Sequence, residues 1–160
     1  MKLYHGTFLE FERIDLSKSN RGKDFGKGFY LSDDFQQAQR MSVFKALQFG
    51  GKPVVQSYEF DECLLSNGGL SFKRFDDYSR EWAEFVLQNR NNDSYRNVHS
   101  FDVIYGPIAN DKVGVQIRNL LENNINMSVF LERLKYIQGI TYQYFFGTEK
   151  AVSKLIRVYE

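Results

Sequence analysis

Two polar rings near the amino end of the chain carry its first chemical signal. His5 stands in Leu3-Tyr4-His5-Gly6-Thr7, and Tyr30 in Asp24-Phe25-Gly26-Lys27-Gly28-Phe29-Tyr30-Leu31-Ser32-Asp33. Each ring closes a short apolar segment and has glycine close by. Glycine leaves the backbone bare and an aromatic ring offers a flat face, so the two blocks suit one planar ligand met by main chain and rings together. Taken singly, a His after a strand is a surface or capping residue and a Tyr in an apolar strand is core. The blocks gain meaning from their order and from the capped helix that follows the second. Gly26-Lys27-Gly28 is too short for a dinucleotide fingerprint.

Other chemistries find less support. His5 and His99 are the only histidines, and neither has a histidine or cysteine three or four residues on, so no metal site is expected. The single Cys63 excludes an internal disulfide framework and reads as a buried structural thiol. No Ser-His-Asp signature or phosphate-binding P-loop is present. A net charge of +1 gives no reason to invoke nucleic acid or an anionic membrane as the main partner. No apolar run approaches the roughly 20 residues of a membrane span, and Met1-Lys2-Leu3 leads straight into folded-looking sequence without a signal peptide. A cytoplasmic protein is expected.

The chain has 160 residues, 42% of them hydrophobic and 26% charged, as in one ordinary globular domain over 1–160. With 15 Phe and 10 Tyr, the interior should be rich in rings, some of them available as stacking surfaces. Strands are expected at Lys2 to His5, Phe29 to Leu31, Val54 to Phe60, Leu70 to Phe75, Asp102 to Ile108, Thr141 to Phe146 and Ile156 to Tyr159.

Between the first two strands, Leu16 to Gly28 reads as a polar, glycine-punctuated loop carrying Lys18, Arg21, Lys23 and Lys27. It is either a solvated connection or a mobile flap over a phosphate-bearing ligand. Asp33 and Gln36 have capping-box spacing for a helix whose face of Phe35, Ala38, Ala46 and Phe49, with Ser42 between, should be buried; Gly50-Gly51 ends it. Phe44 lies opposite, which suggests cover on both faces. Further helices are expected around Tyr78 to Val86, around Ile117 to Leu121, from Ser128 to Gln138 with Leu131, Leu134 and Ile137 inward, and from a Thr148 cap through Leu155. Short strands and helices without strict alternation argue for an α+β domain.

The two blocks, Tyr4-His5-Gly6-Thr7 and Gly26-Lys27-Gly28-Phe29-Tyr30, resemble the first motifs of the diphtheria-toxin and poly-ADP-ribose-polymerase branch of ADP-ribosyltransferases. The pattern is closer still to a small bacterial subfamily of that superfamily. There, too, a block like Phe101 to Asp111 sits in the middle and one like Gln143 to Ala151 near the end. The resemblance implies a split, mixed β-sheet core with packed helices, NAD as substrate, and no metal. It assigns Tyr4, His5, Gly6, Thr7, Gly28, Tyr30 and Ser32 to NAD binding. Gly6 would offer backbone to the nicotinamide carboxamide, His5 a hydrogen bond to the adenosine ribose, and Tyr30 its ring face to the nicotinamide and its hydroxyl to the ribose region. Ser32 would reach the carboxamide.

The branch carries a Glu at its third catalytic position. The best match here is Gln143, which completes the set His5, Tyr30 and Gln143 but neither carries charge nor acts as a base. Glu149, read as a helix-capping charge, is the alternative carboxylate. Asp102 and Asp111 are either structural or acceptor-contacting. The resemblance thus implies transfer of single ADP-ribose units to a macromolecular acceptor, protein or nucleic acid, by a toxin of a toxin–antitoxin or phage-defence system with a neutralising partner. NAD glycohydrolase activity, or a catalytically inactive module binding NAD, ADP-ribose or a protein, are the alternatives.

Overall fold

The computed structural model describes residues 1–159. In chain order these form β1 (Lys2–Thr7), β2 (Phe29–Leu31), α1 (Phe35–Phe49), β3 (Val54–Glu59), β4 (Phe72–Arg74) and α2 (Arg80–Arg90). There follow β5 (Val103–Pro107), α3 (Asp111–Leu121), α4 (Met127–Leu134), β6 (Tyr142–Phe146), α5 (Glu149–Val152) and β7 (Ile156–Val158). The strands make two sheets, ordered β1-β3-β7 and β2-β6-β5-β4. Every pairing is antiparallel except β4 with β5. The class is α+β, as expected. No helix of the described residues is long and apolar enough to cross a membrane.

Period-two alternation in the strands sets the layers. Phe29, Leu31, Val103, Tyr144 and Phe146 point into one core, which they share with Leu3 and Tyr58 of the other sheet. Ile104 and Phe145 point the opposite way, into a second core completed by Trp82 and Val86 of α2, Val113 and Ile117 of α3, and Phe130 and Leu134 of α4. The four-stranded sheet is therefore sandwiched between the other sheet and three helices. α1 lies on the outer face of β1. A Cβ on Gly6 would sit 2.1 Å from the Ala38 carbonyl oxygen, so only glycine lets the helix backbone come this close.

Several local expectations shift. Asp34, not Asp33, caps α1, its Oδ1 accepting from the Gln36 amide at 2.8 Å. The buried face of α1 is narrower than its apolar residues suggest. Ala38 and Ser42 are buried, whereas Phe35 and Phe49 are 39% and 61% exposed and Phe44, expected under cover, is 60% exposed. Gly50 closes the helix at φ 78°. Tyr78 lies ahead of α2, whose cap is Ser79.

On α4 the buried residues are Phe130 and Leu134, and the helix stops at Leu134 instead of continuing to Gln138; Leu131 and Ile137 pack partly buried. α5 is likewise shorter than expected, ending at Val152, though Thr148 caps it as anticipated. Cys63, expected inside, is exposed.

Candidate functional site

Besides packing on a shared core, the two sheets are joined edge to edge at an isolated bridge, where Tyr4 and Ser32 exchange backbone hydrogen bonds of 2.8 Å each way. Beyond it β1 runs on through His5 and Gly6, while β2 runs back through Leu31 and Tyr30 without further pairing. A cleft opens between two strand edges. Alternation along an antiparallel strand turns the Gly6 N–H and C=O to the same side as those of Tyr4, toward this cleft.

His5 spans the opening. Its Nδ1 lies 2.7 Å from the Tyr30 carbonyl oxygen, which can only accept, so the ring carries its proton on Nδ1 and leaves Nε2 as an acceptor. The imidazole packs against Phe29 at 4.4 Å and Phe11 at 5.8 Å between centroids. Burial, with the positive charge of Lys45, pushes its pKa down to about 3 against the opposing Tyr30 hydrogen bond; Lys23 and Arg157 add smaller effects in the same direction as Lys45. His5 is therefore a neutral ring at physiological pH.

Tyr30 presents a ring rather than a free hydroxyl. Its Oη donates to the Gly26 carbonyl at 2.7 Å and accepts from the Phe25 amide at 3.1 Å. Burial, reinforced by the Asp24 charge, holds that phenol well above its ordinary pKa. The hydroxyl assigned by resemblance to a ribose thus closes a loop of its own chain. The ring meets Phe145 edge-on at 5.3 Å, and the Lys23 ammonium lies 5.1 Å from its centroid.

Gln143 lies on β6, on the same face as Phe145, the partner of Tyr30 in register. Its Nε2 donates to Asp24 Oδ2 at 3.3 Å, and Oε1 has no partner among the described residues. Asp24 is buried and heavily committed. Arg90 donates to its Oδ1 through Nε at 2.8 Å and Nη2 at 2.6 Å, and the Ala109 amide donates to Oδ2 at 3.1 Å. Asp24 is the residue that sequence reasoning left without a role. Its only local signal is an acid embedded among four cations, from Lys18 to Lys27.

The segment from Lys23 to Tyr30 therefore holds all three expected residues: Asp24 takes the Gln143 amide, Gly26 takes the Tyr30 hydroxyl, and Tyr30 offers its carbonyl to His5. The segment is anchored at its centre by Phe25, which is fully buried, and by His99, whose Nε2 lies 2.7 Å from the Phe25 carbonyl. The Asn97 amide both accepts from the Lys27 N–H at 2.7 Å and donates to its carbonyl at 2.9 Å. The loop expected over Leu16 to Gly28 thus divides: Leu16 to Gly22 is mostly exposed, as a solvated connection is, whereas Lys23 to Gly28 is packed into the fold.

Four other residues expected at the site have their groups or space taken by the fold. Ser32 is buried, its Oγ accepting from the Asp34 amide at 2.9 Å. Thr7 Oγ1 donates to the Leu9 carbonyl at 3.2 Å. A Cβ on Gly28 would lie 2.1 Å from the Phe145 ring. Tyr4 turns toward α1, edge-on to Phe35 at 5.4 Å.

The other acids are also placed. Glu149 is exposed in the first turn of α5, beyond the end of β6 opposite to Gln143. Asp102 accepts from the Ser71 amide at 2.8 Å and Thr148 Oγ1 at 2.6 Å, tying β4, β5 and α5 together. Asp111 is exposed in the first turn of α3. Among the described residues no three His, Cys, Asp or Glu side chains converge as metal ligands would.

Lys45, which sequence reasoning missed, reaches the same strand edge: its Nζ donates to the Gly6 carbonyl at 2.8 Å. Burial and the neighbouring Lys23 charge bring its pKa down to about 8.

No curated protein and no solved structure matches this chain. The protein family described as Protein of unknown function (DUF3990) matches residues 1–156, nearly the entire sequence, and the chain belongs to that family.

Proposed function

We propose that the cleft between β1 and β2 takes NAD⁺ and that the chain transfers one ADP-ribose from it to a macromolecular acceptor. The observation that supports this reading is the contact of His5 Nδ1 with the Tyr30 carbonyl. It ties the His5 ring to the Tyr30 main chain beside the Gly6 edge and leaves His5 Nε2 able to accept a hydroxyl proton. The two rings themselves pack on opposite faces of β2, His5 against Phe29 and Tyr30 against Phe145. In this reading the nicotinamide lies against the Tyr30 ring, the Gly6 edge meets its carboxamide, and His5 Nε2 accepts from the adenosine ribose. Gln143 Oε1 accepts from a hydroxyl of the other ribose.

The bond between ribose carbon and nicotinamide nitrogen breaks with its electron pair leaving on the nitrogen, which becomes neutral. The acceptor's nucleophile joins the carbon and gives its proton to solvent. Binding geometry supplies most of the acceleration, because Gln143 neither takes a proton nor carries charge.

A second reading, a module that binds NAD⁺ without turning it over, is favoured by one observation. Asp24, the carboxylate bonded to Gln143, is already matched by Arg90, so it has little negative charge left to stabilise an oxocarbenium-like centre. Incubating the purified protein with adenylate-labelled NAD⁺ and lysate separates the readings. The transferase releases nicotinamide and labels macromolecules. Binding with neither product supports the module, and free ADP-ribose without labelled macromolecules makes water the acceptor. Failure to bind NAD⁺ at all overturns the site.

A further inference from the structure

Two ammonium groups reach the cleft, and among the described residues neither has an anion to answer it. Lys45 Nζ sits on the Gly6 carbonyl. Lys23 Nζ lies 5.1 Å from the Tyr30 centroid and 3.4 Å from Ser19 Oγ. They come from elements on opposite sides of the opening, α1 and the segment before β2, and both are half-buried. Among the described residues no carboxylate pairs with either. The nearest acid in sequence, Asp24, is held by Arg90. Other cations of the same loop turn elsewhere: Arg21 and Lys27 lie over the Tyr95 ring at 4.8 and 5.3 Å.

Withdrawing two like charges from water side by side is unfavourable unless a counter-charge joins them. Both lysines lose proton affinity through burial, and Lys23 adds repulsion at Lys45. A carbonyl and a ring face compensate such ammoniums only in part, whereas a phosphate diester or anhydride compensates them fully. Lysine serves phosphate well as a compact point charge on a flexible stem.

We propose that Lys23 and Lys45 form a phosphate clamp across the mouth of the cleft, so that its ligand is a pyrophosphate-bearing nucleotide and not a nucleoside or a free base. The inference rests on placing the ligand in this cleft, as proposed above, and adds the groups that select its charged middle.

The test uses calorimetry and side-chain NMR on the full chain. Inorganic pyrophosphate should bind and shift the His5 ring nitrogens while leaving those of His99 in place, an internal control that needs no substitution. Lys23→Met and Lys45→Met should each weaken pyrophosphate, ADP-ribose and NAD⁺ roughly tenfold, as loss of one charge-assisted contact does. Lys73→Met, which removes a lysine paired with Glu81 on the far edge strand, should change nothing. Pyrophosphate that fails to bind, or that moves His99 as much as His5, overturns the clamp. NAD⁺ binding that is indifferent to both lysines overturns it while leaving the NAD reading standing. Lysine-dependent binding of pyrophosphate without any binding of NAD⁺ upholds the clamp and removes the NAD reading.

Discussion

Gln143 and Asp24, 119 residues apart in the chain, are joined by a hydrogen bond of 3.3 Å from amide to carboxylate. The bond fixes which end of the amide is free: Nε2 is spent, and Oε1 is the atom Gln143 can offer. Because Arg90 holds the other oxygen of Asp24, Asp24 orients Gln143 without lending it net charge. It is a positioning residue.

That relationship predicts the outcome of restoring a carboxylate at this position. Gln143→Glu sets two carboxylates against each other, loses the donated hydrogen bond, and raises the pKa of the pair. Stability at pH 7 should fall by about 2 kcal/mol, the scale of a lost hydrogen bond to a charged group. Protonation of the raised pair restores a shared hydrogen bond, so the deficit should shrink as pH falls toward 5. Adding Asp24→Asn should recover part of the loss at pH 7. Equal urea midpoints for wild type and Gln143→Glu at both pH values would show that the two residues do not touch.

Tyr30 separates into a ring and a hydroxyl with different duties. Tyr30→Phe removes the bonds to Gly26 and Phe25 and should cost about 1 kcal/mol of stability, while NAD⁺ affinity holds because the ring face survives. Tyr30→Ala should lose stacking worth about 0.5–1.5 kcal/mol in addition to buried ring area, and affinity should fall with it. Calorimetry on the two variants distinguishes them. A Tyr30→Phe variant that binds as poorly as Tyr30→Ala would return the hydroxyl to the ligand.

The features that could be read from the sequence are those encoded locally. Strand alternation in Phe29–Leu31 and Tyr142–Phe146, the Thr148 cap and the Gly50 stop each depend on a few consecutive residues, and each lies where expected. The misplaced α1 cap was a choice between adjacent acids, decided by the Ser32 hydroxyl accepting from the Asp34 amide. Long-range partners were invisible. Asp24 acquires its role from Arg90, Ala109 and Gln143, which lie 66, 85 and 119 residues away. Lys45 acquires its role from a backbone carbonyl 39 residues earlier. The apolar side chains of α1 misled for a related reason: the helix lies so close on β1 that only small residues fit beneath it, and the large ones are left outside.

Gly6 was expected to leave room for a ligand, but the nearest obstacle to a side chain there is protein. Gly6→Ala would press a Cβ onto the Ala38 carbonyl, with the Ser42 nitrogen 2.9 Å away. Backbone cannot rotate aside as a side chain can, so the cost should reach about 3 kcal/mol, the upper end of overpacking. Gly114 is the contrast. It lies inside α3 with open space around its missing Cβ, and Gly114→Ala should stabilise by up to about 1 kcal/mol through helix propensity. Thermal denaturation of both variants checks the pair. A Gly6→Ala protein as stable as wild type would mean that α1 is not seated on β1 as described.

The neutral state of His5 makes acid a probe of the cleft. Its folded pKa of about 3 lies below the ordinary 6.5, so between those values the unfolded chain binds a proton that the folded chain refuses. Stability therefore falls as pH drops from 6.5 toward 3, and no further change comes from this group below that. His99, also lowered by burial, acts in the same direction, so the total slope alone does not isolate His5. His5→Gln does: the amide can still donate to the Tyr30 carbonyl but has nothing to titrate, and the urea midpoint of this variant should decline less steeply with acid than that of wild type. Nitrogen-15 spectra of the wild type give the direct reading. They should show His5 with its proton on Nδ1 and no titration near 6.5. An imidazole that takes up its second proton at that pH would be a solvated ring, and the cleft built around its neutral form would have to be abandoned.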